Sequence, residues 1–168
     1  MRIIKILSLA VLMMVISTLP VSAKEFKQDT VSASTEIRVP IGKDYFIVNG
    51  VKQETKVPAY LTDEGVTMIP LRTFLDLGNV EDYEIDWYPE RKTVRVIFLG
   101  GGRTAFYTAG SNRYGHNEYY FSFEKGKSEL VNGVFYLPAR AFGKTFNFEI
   151  AWEQESTTAI ITKIPKIY

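Results

Sequence analysis

Two features limit the chemistry open to this chain of 168 residues: a single histidine, His116, and the absence of cysteine. His116 lies in "SNRYGHNEYY", which reads as a polar loop. A zinc or copper site draws on several imidazoles or thiolates, and a Ser-His-Asp triad would need this same imidazole. No Gly-x-Ser-x-Gly elbow accompanies it. No metal site, catalytic residue or cofactor is therefore expected. Without cysteine there is also no disulfide, no thiol nucleophile and no lipid-modified cysteine.

Glu81, Asp82, Glu84 and Asp86 have the residue types of a calcium site or a glycosidase acid pair. They lack the Asp-x-Asp-x-Asp-Gly loop spacing, and Glu84 and Asp86 alternate along a strand, so a solvated strand face is expected. "LGGGR", Leu99 to Arg103, is glycine-rich but does not lead from a strand into a helix, as a phosphate-cradling loop must. It reads as a flexible connector. Arg72 and Arg140 each fall in the first turn of a short helix, where a cation opposes the helix dipole. A compensating bond to a strand carbonyl or a carboxylate is expected, with anion binding as the alternative. Trp87 and Trp152 alternate with polar neighbours alongside Ile85 and Ile150, and are expected in the core rather than on a sugar-stacking platform. The remaining candidate is "RYGHNEYYFSF": Tyr114, Tyr119, Tyr120 and Phe121 beside Asn117 combine rings with hydrogen-bonding groups, as sugar recognition requires. The competing reading makes these rings half-buried strand residues.

The elements that would position these residues are short and come twice. "VTMIPLRTF", Val66 to Phe74, returns as "VFYLPARAF", Val134 to Phe142, with Pro70/Pro138, Arg72/Arg140 and Phe74/Phe142 coinciding. Each proline ends a strand and suits a helix start, where its missing N–H is not needed. Gly78 is expected to stop the first helix, which turns Leu71, Phe74 and Leu75 to one side. Asn49-Gly50 and Asn132-Gly133 are hairpin signals, because both residue types tolerate positive φ. "YEIDWYPERKTVRVIF" and "NFEIAW…TTAIITKI" read as hairpins with one buried face. The expected fold is α+β: two β-β-α-β-β repeats forming mainly antiparallel sheet packed on short helices.

"VNG", "MIPLRTFLDLG" and "IDWYPERKTVRV", with "YLPARAF" and "IAW" in the second copy, resemble the copper amine oxidase N-terminal domain-like family, the stalk domain. Pro70, Arg72, Trp87, Pro138, Arg140 and Trp152 carry the repeat motif. The second copy departs from the family pattern in having Ala139 where leucine is usual. The resemblance implies a fold and an extracellular location. In the full oxidases the copper and quinone belong to a separate, larger catalytic domain, so it implies no catalysis.

At the N-terminus, Arg2 and Lys5, the apolar run Ile6 to Leu19 and the small residues Val21 and Ala23 have the grammar of a secretory signal peptide. That run is short for a membrane span of about 20 residues, and no later segment is apolar enough to cross. The expected organisation is a signal peptide over 1–23, a flexible leader over 24–36, a first repeat over 37–98, a connector over 99–103 and a second repeat over 104–168. Of the 20 basic side chains, Arg2 and Lys5 leave with the signal, so 18 face 19 acidic ones. Such a balance argues against nucleic acid as a partner. The expected function is a secreted, non-catalytic binding module for cell-wall glycan, polysaccharide or a surface protein, in a bacterium with a single membrane. The alternatives are a self-associating structural or matrix protein, hence a homo-oligomer, and an enzyme inhibitor. No wall-sorting motif is visible in "KIPKIY", so release or non-covalent retention is expected.

Overall fold

The computed structural model describes residues 35–78, 80 and 82–164. The signal peptide read over 1–23, nearly all of the leader and Glu81 lie outside the described residues. Among the described residues fourteen strands and two α-helices follow in order: β1 (Glu36–Pro40), β2 (Tyr45–Val48), β3 (Val51–Glu54), β4 (Tyr60–Leu61), β5 (Thr67–Pro70), α1 (Leu71–Leu77), β6 (Tyr83–Tyr88) and β7 (Thr93–Phe98), then β8 (Arg103–Thr108), β9 (Arg113–His116), β10 (Tyr119–Ser122), β11 (Glu129–Val131), β12 (Val134–Pro138), α2 (Ala139–Phe146), β13 (Phe148–Glu153) and β14 (Thr158–Lys163). They form three sheets, β13-β14-β1-β2-β3, β6-β7-β8-β9-β10 and β11-β12-β5-β4, and every strand pair is antiparallel. The class is α+β. Among the described residues no helix is long and apolar enough to cross a membrane.

Local chemistry explains the joints. Asn49 and Gly50 close the β2–β3 hairpin at φ 49° and 80°, with Val48 opposite Val51. The Asn49 side chain also accepts a hydrogen bond from the Glu36 N–H at 2.9 Å, which ties this turn to β1. Pro70 and Pro138 remain extended (ψ 120° and 133°), so each is both the last residue of its strand and the cap of its helix. Gly78 ends α1 for a different reason from the one expected. Its φ is −74°, not left-handed, but a Cβ there would stand 2.8 Å from the Phe74 carbonyl oxygen and 3.3 Å from Ile37 Cδ1. α2 ends instead on Asn147 in the left-handed region at φ 61°.

The core gathers both helices. Phe74 and Phe142 lie 4.0 Å apart by ring centroid, and Phe148 meets Phe74 edge-on at 5.3 Å. Ile37 and Ile161, from the first and last described strands, are fully buried in the same cluster as Val96 and Phe98. The other face of β5 and β12 carries a smaller cluster, Val66, Met68 and Tyr136.

Three expectations need correction. Trp87 and Trp152 are 43% and 40% exposed, not core. Each sits toward the far end of a six-residue strand about 20 Å long, and a two-turn helix of about 10 Å covers only part of that length. Trp87 rests edge-on against Phe135 at 6.2 Å, and the Trp152 ring N–H donates to Gln154 at 2.9 Å. "LGGGR" is a tight turn, with Phe98 opposite Arg103, and Arg103 already belongs to β8. His116 is not in a loop but closes strand β9.

Candidate functional site

The residues that sequence reasoning grouped over 114–121 fall on the β9–β10 hairpin, at one edge of the sheet β6–β10. Asn117 makes the turn at φ 53°, a conformation asparagine tolerates better than most residues. Its side-chain oxygen accepts from the Thr104 N–H at 3.0 Å, and its own N–H donates to the Thr104 carbonyl at 2.8 Å. Asn117 therefore anchors the hairpin tip to β8 rather than offering its oxygen to a ligand.

The strand register then sorts the rings. Tyr107, Tyr114 and Phe121 stand opposite one another on β8, β9 and β10 and stack at 5.7 and 5.5 Å. This ladder runs from full burial at Tyr107, through Tyr114 at 3% exposed, to Phe121 at 43%. Phe123 stacks on Tyr114 at 4.9 Å and seals it. Tyr114 is thus core, and its burial raises its pKa. Tyr119 and Tyr120 are 70% and 75% exposed, on opposite faces of β10. Tyr120 lies across from Gly115, where a Cβ would touch Tyr120 Cε1 at 3.6 Å and Phe106 Cδ2 at 3.5 Å. The Arg113 guanidinium stands 5.9 Å from the Tyr120 ring centre, at the outer limit of a cation–π contact. His116 lies opposite Tyr119, its Nε2 buried without a partner. Loss of water and, second, the nearby Arg103 charge lower its pKa, so the neutral ring is favoured at pH 7.

The other candidates scatter. Arg140 meets Glu124 at 3.4 Å on the surface, which supplies the expected carboxylate. Arg72 has no ion pair among the described residues and lines an open cleft of about 590 Å³ with Asp76, Asp82 and Tyr83. The Tyr83 hydroxyl donates to Asp76, and its pKa rises through burial first and this bond second. Asp86 is held by the Arg95 Nε at 3.0 Å across the β6–β7 pair, while Glu84 faces solvent. No group of three metal-ligating side chains occurs among the described residues. Sequence reasoning did not find the aromatic ladder. Its signal is two successive strand pairs whose ring partners lie seven residues apart, Tyr107 with Tyr114 and Tyr114 with Phe121.

A model of the copper amine oxidase N-terminal domain family matches residues 47–161, which is more than half of the chain. No curated protein and no solved structure matches it.

Proposed function

The chain belongs to the copper amine oxidase N-terminal domain family, and from that premise we propose that it is a secreted, non-catalytic binding module. Secretion rests on the signal-like segment Met1 to Ala23. The non-catalytic reading rests on the matched region, which the family assigns to an N-terminal domain, and on a lone histidine turned into the protein. We read the architecture as two β-β-α-β-β repeats around one core. Supporting this, Asn49 and Asn117 make the same pair of bonds to Glu36 and Thr104, and Phe74 meets Phe142.

One observation carries the binding reading: Tyr119, Tyr120 and Phe121 are all exposed on a single four-residue strand. Exposed rings of this size are costly in water unless something covers them, and flat rings beside Arg113 and Glu118 suit the apolar faces and hydroxyls of sugars. The ligand class is therefore a glycan of the cell wall or a related polysaccharide. Co-sedimentation with insoluble peptidoglycan and polysaccharides across a salt series tests this. The expected result is salt-resistant pelleting that is lost in Tyr119→Ala/Tyr120→Ala with the fold intact. A protein that stays in the supernatant with every polymer overturns the glycan reading and turns attention to a protein partner on the same strand.

A further inference from the structure

We propose that β10 pairs antiparallel with β10 of a second copy of this chain, across a two-fold axis at Tyr120. The backbone supplies the first reason. Among the described residues β10 has β9 as its only neighbour. The Phe123 N–H donates to the Asn112 carbonyl at 2.7 Å. Antiparallel bonding alternates along a strand, so Tyr119 and Phe121 also turn their backbone groups toward β9. Tyr120 and Ser122 turn theirs outward, leaving an open row of donors and acceptors that a further strand satisfies.

The side chains supply the second. The opposite five-stranded sheet ends on β3, Val51–Glu54, whose edge carries the Lys52–Glu54 ion pair at 2.7 Å. Charges of that kind are how proteins discourage edge pairing. β10 reads Tyr-Tyr-Phe-Ser and has none.

Charge also selects the occupant and the register. Centred on Phe121, self-pairing would set Glu118 directly opposite the partner's Glu124. Centred on Tyr120, it sets Tyr119 opposite the partner's Phe121, an aromatic cross-strand pair made twice. Glu118 then faces the partner's Ser122, which is itself opposite Arg113 on β9. Glu118 is in the turn just before β10, and two strand spacings, about 10 Å, separate it from the partner's Arg113, within reach of two long opposite charges. The second copy thus matches both the rings and the charges of the edge. A four-residue strand makes a small interface, so the dimer is weak and concentration-dependent. This inference needs no glycan: it uses the same exposed strand as the binding reading, but its tests read self-association and not pelleting with a polymer.

Because the chain has no cysteine, register can be tested with introduced thiols. In the proposed pairing residue 119 lies directly opposite residue 121 of the partner, about 4.5 Å away, whereas 119–119 and 121–121 are diagonal at about 7–8 Å. Disulfides do not bridge Cα atoms beyond about 7 Å. An equimolar mixture of Tyr119→Cys and Phe121→Cys proteins under mild oxidation should crosslink at least tenfold faster than either alone. Sedimentation velocity of the unmodified protein should show mass rising from one chain to two with concentration. Ser122→Pro, which deletes one outward N–H, should abolish that rise with the melting temperature kept. A mass fixed at one chain, growth past two chains, or equal crosslinking in the mixed and single samples overturns the proposal.

Discussion

The contact between Phe74 and Phe142 joins the two helices and should be measurable as a coupling. Both rings are fully buried and their centroids are 4.0 Å apart. Phe→Leu at either site keeps an apolar side chain but loses ring volume, at a cost of about 1–2 kcal/mol from lost burial and incomplete refilling. A close aromatic pair adds about 0.5–1.5 kcal/mol beyond burial. Each single variant loses that pair term, and the double variant loses it only once. The double variant should therefore be less destabilised than the sum of the singles by about 1 kcal/mol. Against a total stability of about 5–15 kcal/mol, all three variants stay folded and measurable. Urea unfolding followed by tryptophan fluorescence and far-ultraviolet circular dichroism is the assay. Trp87 and Trp152 report on different sheets, so one shared core requires coincident transitions. Additivity within about 0.3 kcal/mol, or two separated transitions, would refute the reasoning that the helices share one core.

Other consequences follow from single residues. Gly126→Ala should destabilise more than Gly50→Ala in thermal unfolding: both have φ near +80°, but a Cβ at Gly126 would lie 2.8 Å from Val66 Cγ1 and one at Gly50 meets nothing within 4 Å. The left-handed conformation alone costs about 1–2 kcal/mol, so any excess at Gly126 measures crowding. His116 should make stability fall as pH drops below about 6.5, because its folded-state pKa is lowered and the unfolded chain binds the proton first. The loss should level off below the depressed folded value, and His116→Gln should flatten this part of the pH profile. Acid loss through Glu153 belongs to a separate window below the ordinary carboxylate range, since its hydrogen bond from Arg38 lowers its pKa. Tyr119→Ala/Tyr120→Ala should shift unfolding by about 0.5 kcal/mol or less, since both rings are mostly solvated.

Local signals were legible in the sequence where chemistry and geometry coincide within a few residues. Asn49-Gly50 and Asn132-Gly133 make turns because positive φ is encoded in those residue types, and Pro70 and Pro138 end strands because they lack an N–H. What could not be read was position within a sheet. Alternation says that Trp87 shares a face with Ile85, but not that the helix stops short of it. "SNRYGH" hides a strand because its partners, Ala105 to Tyr107 and Tyr119 to Phe121, compensate for the polar and glycine residues within it. The same pattern that places Tyr119 and Tyr120 on opposite faces cannot reveal that β10 is an edge, which is what exposes both. Asn117 looked like a hydrogen-bonding group for a ligand, and only the fold shows its oxygen committed to Thr104.

The most direct test of β10 as the recognition surface is residue-resolved amide chemical-shift mapping during titration with soluble peptidoglycan fragments, at protein concentrations too low for self-pairing. The expected result is a set of shifts concentrated between Arg113 and Phe123, with little change around Arg72 and Asp76. Shifts that gather at the Arg72 cleft, or that leave Tyr119 to Ser122 unmoved at saturating fragment, would contradict the account.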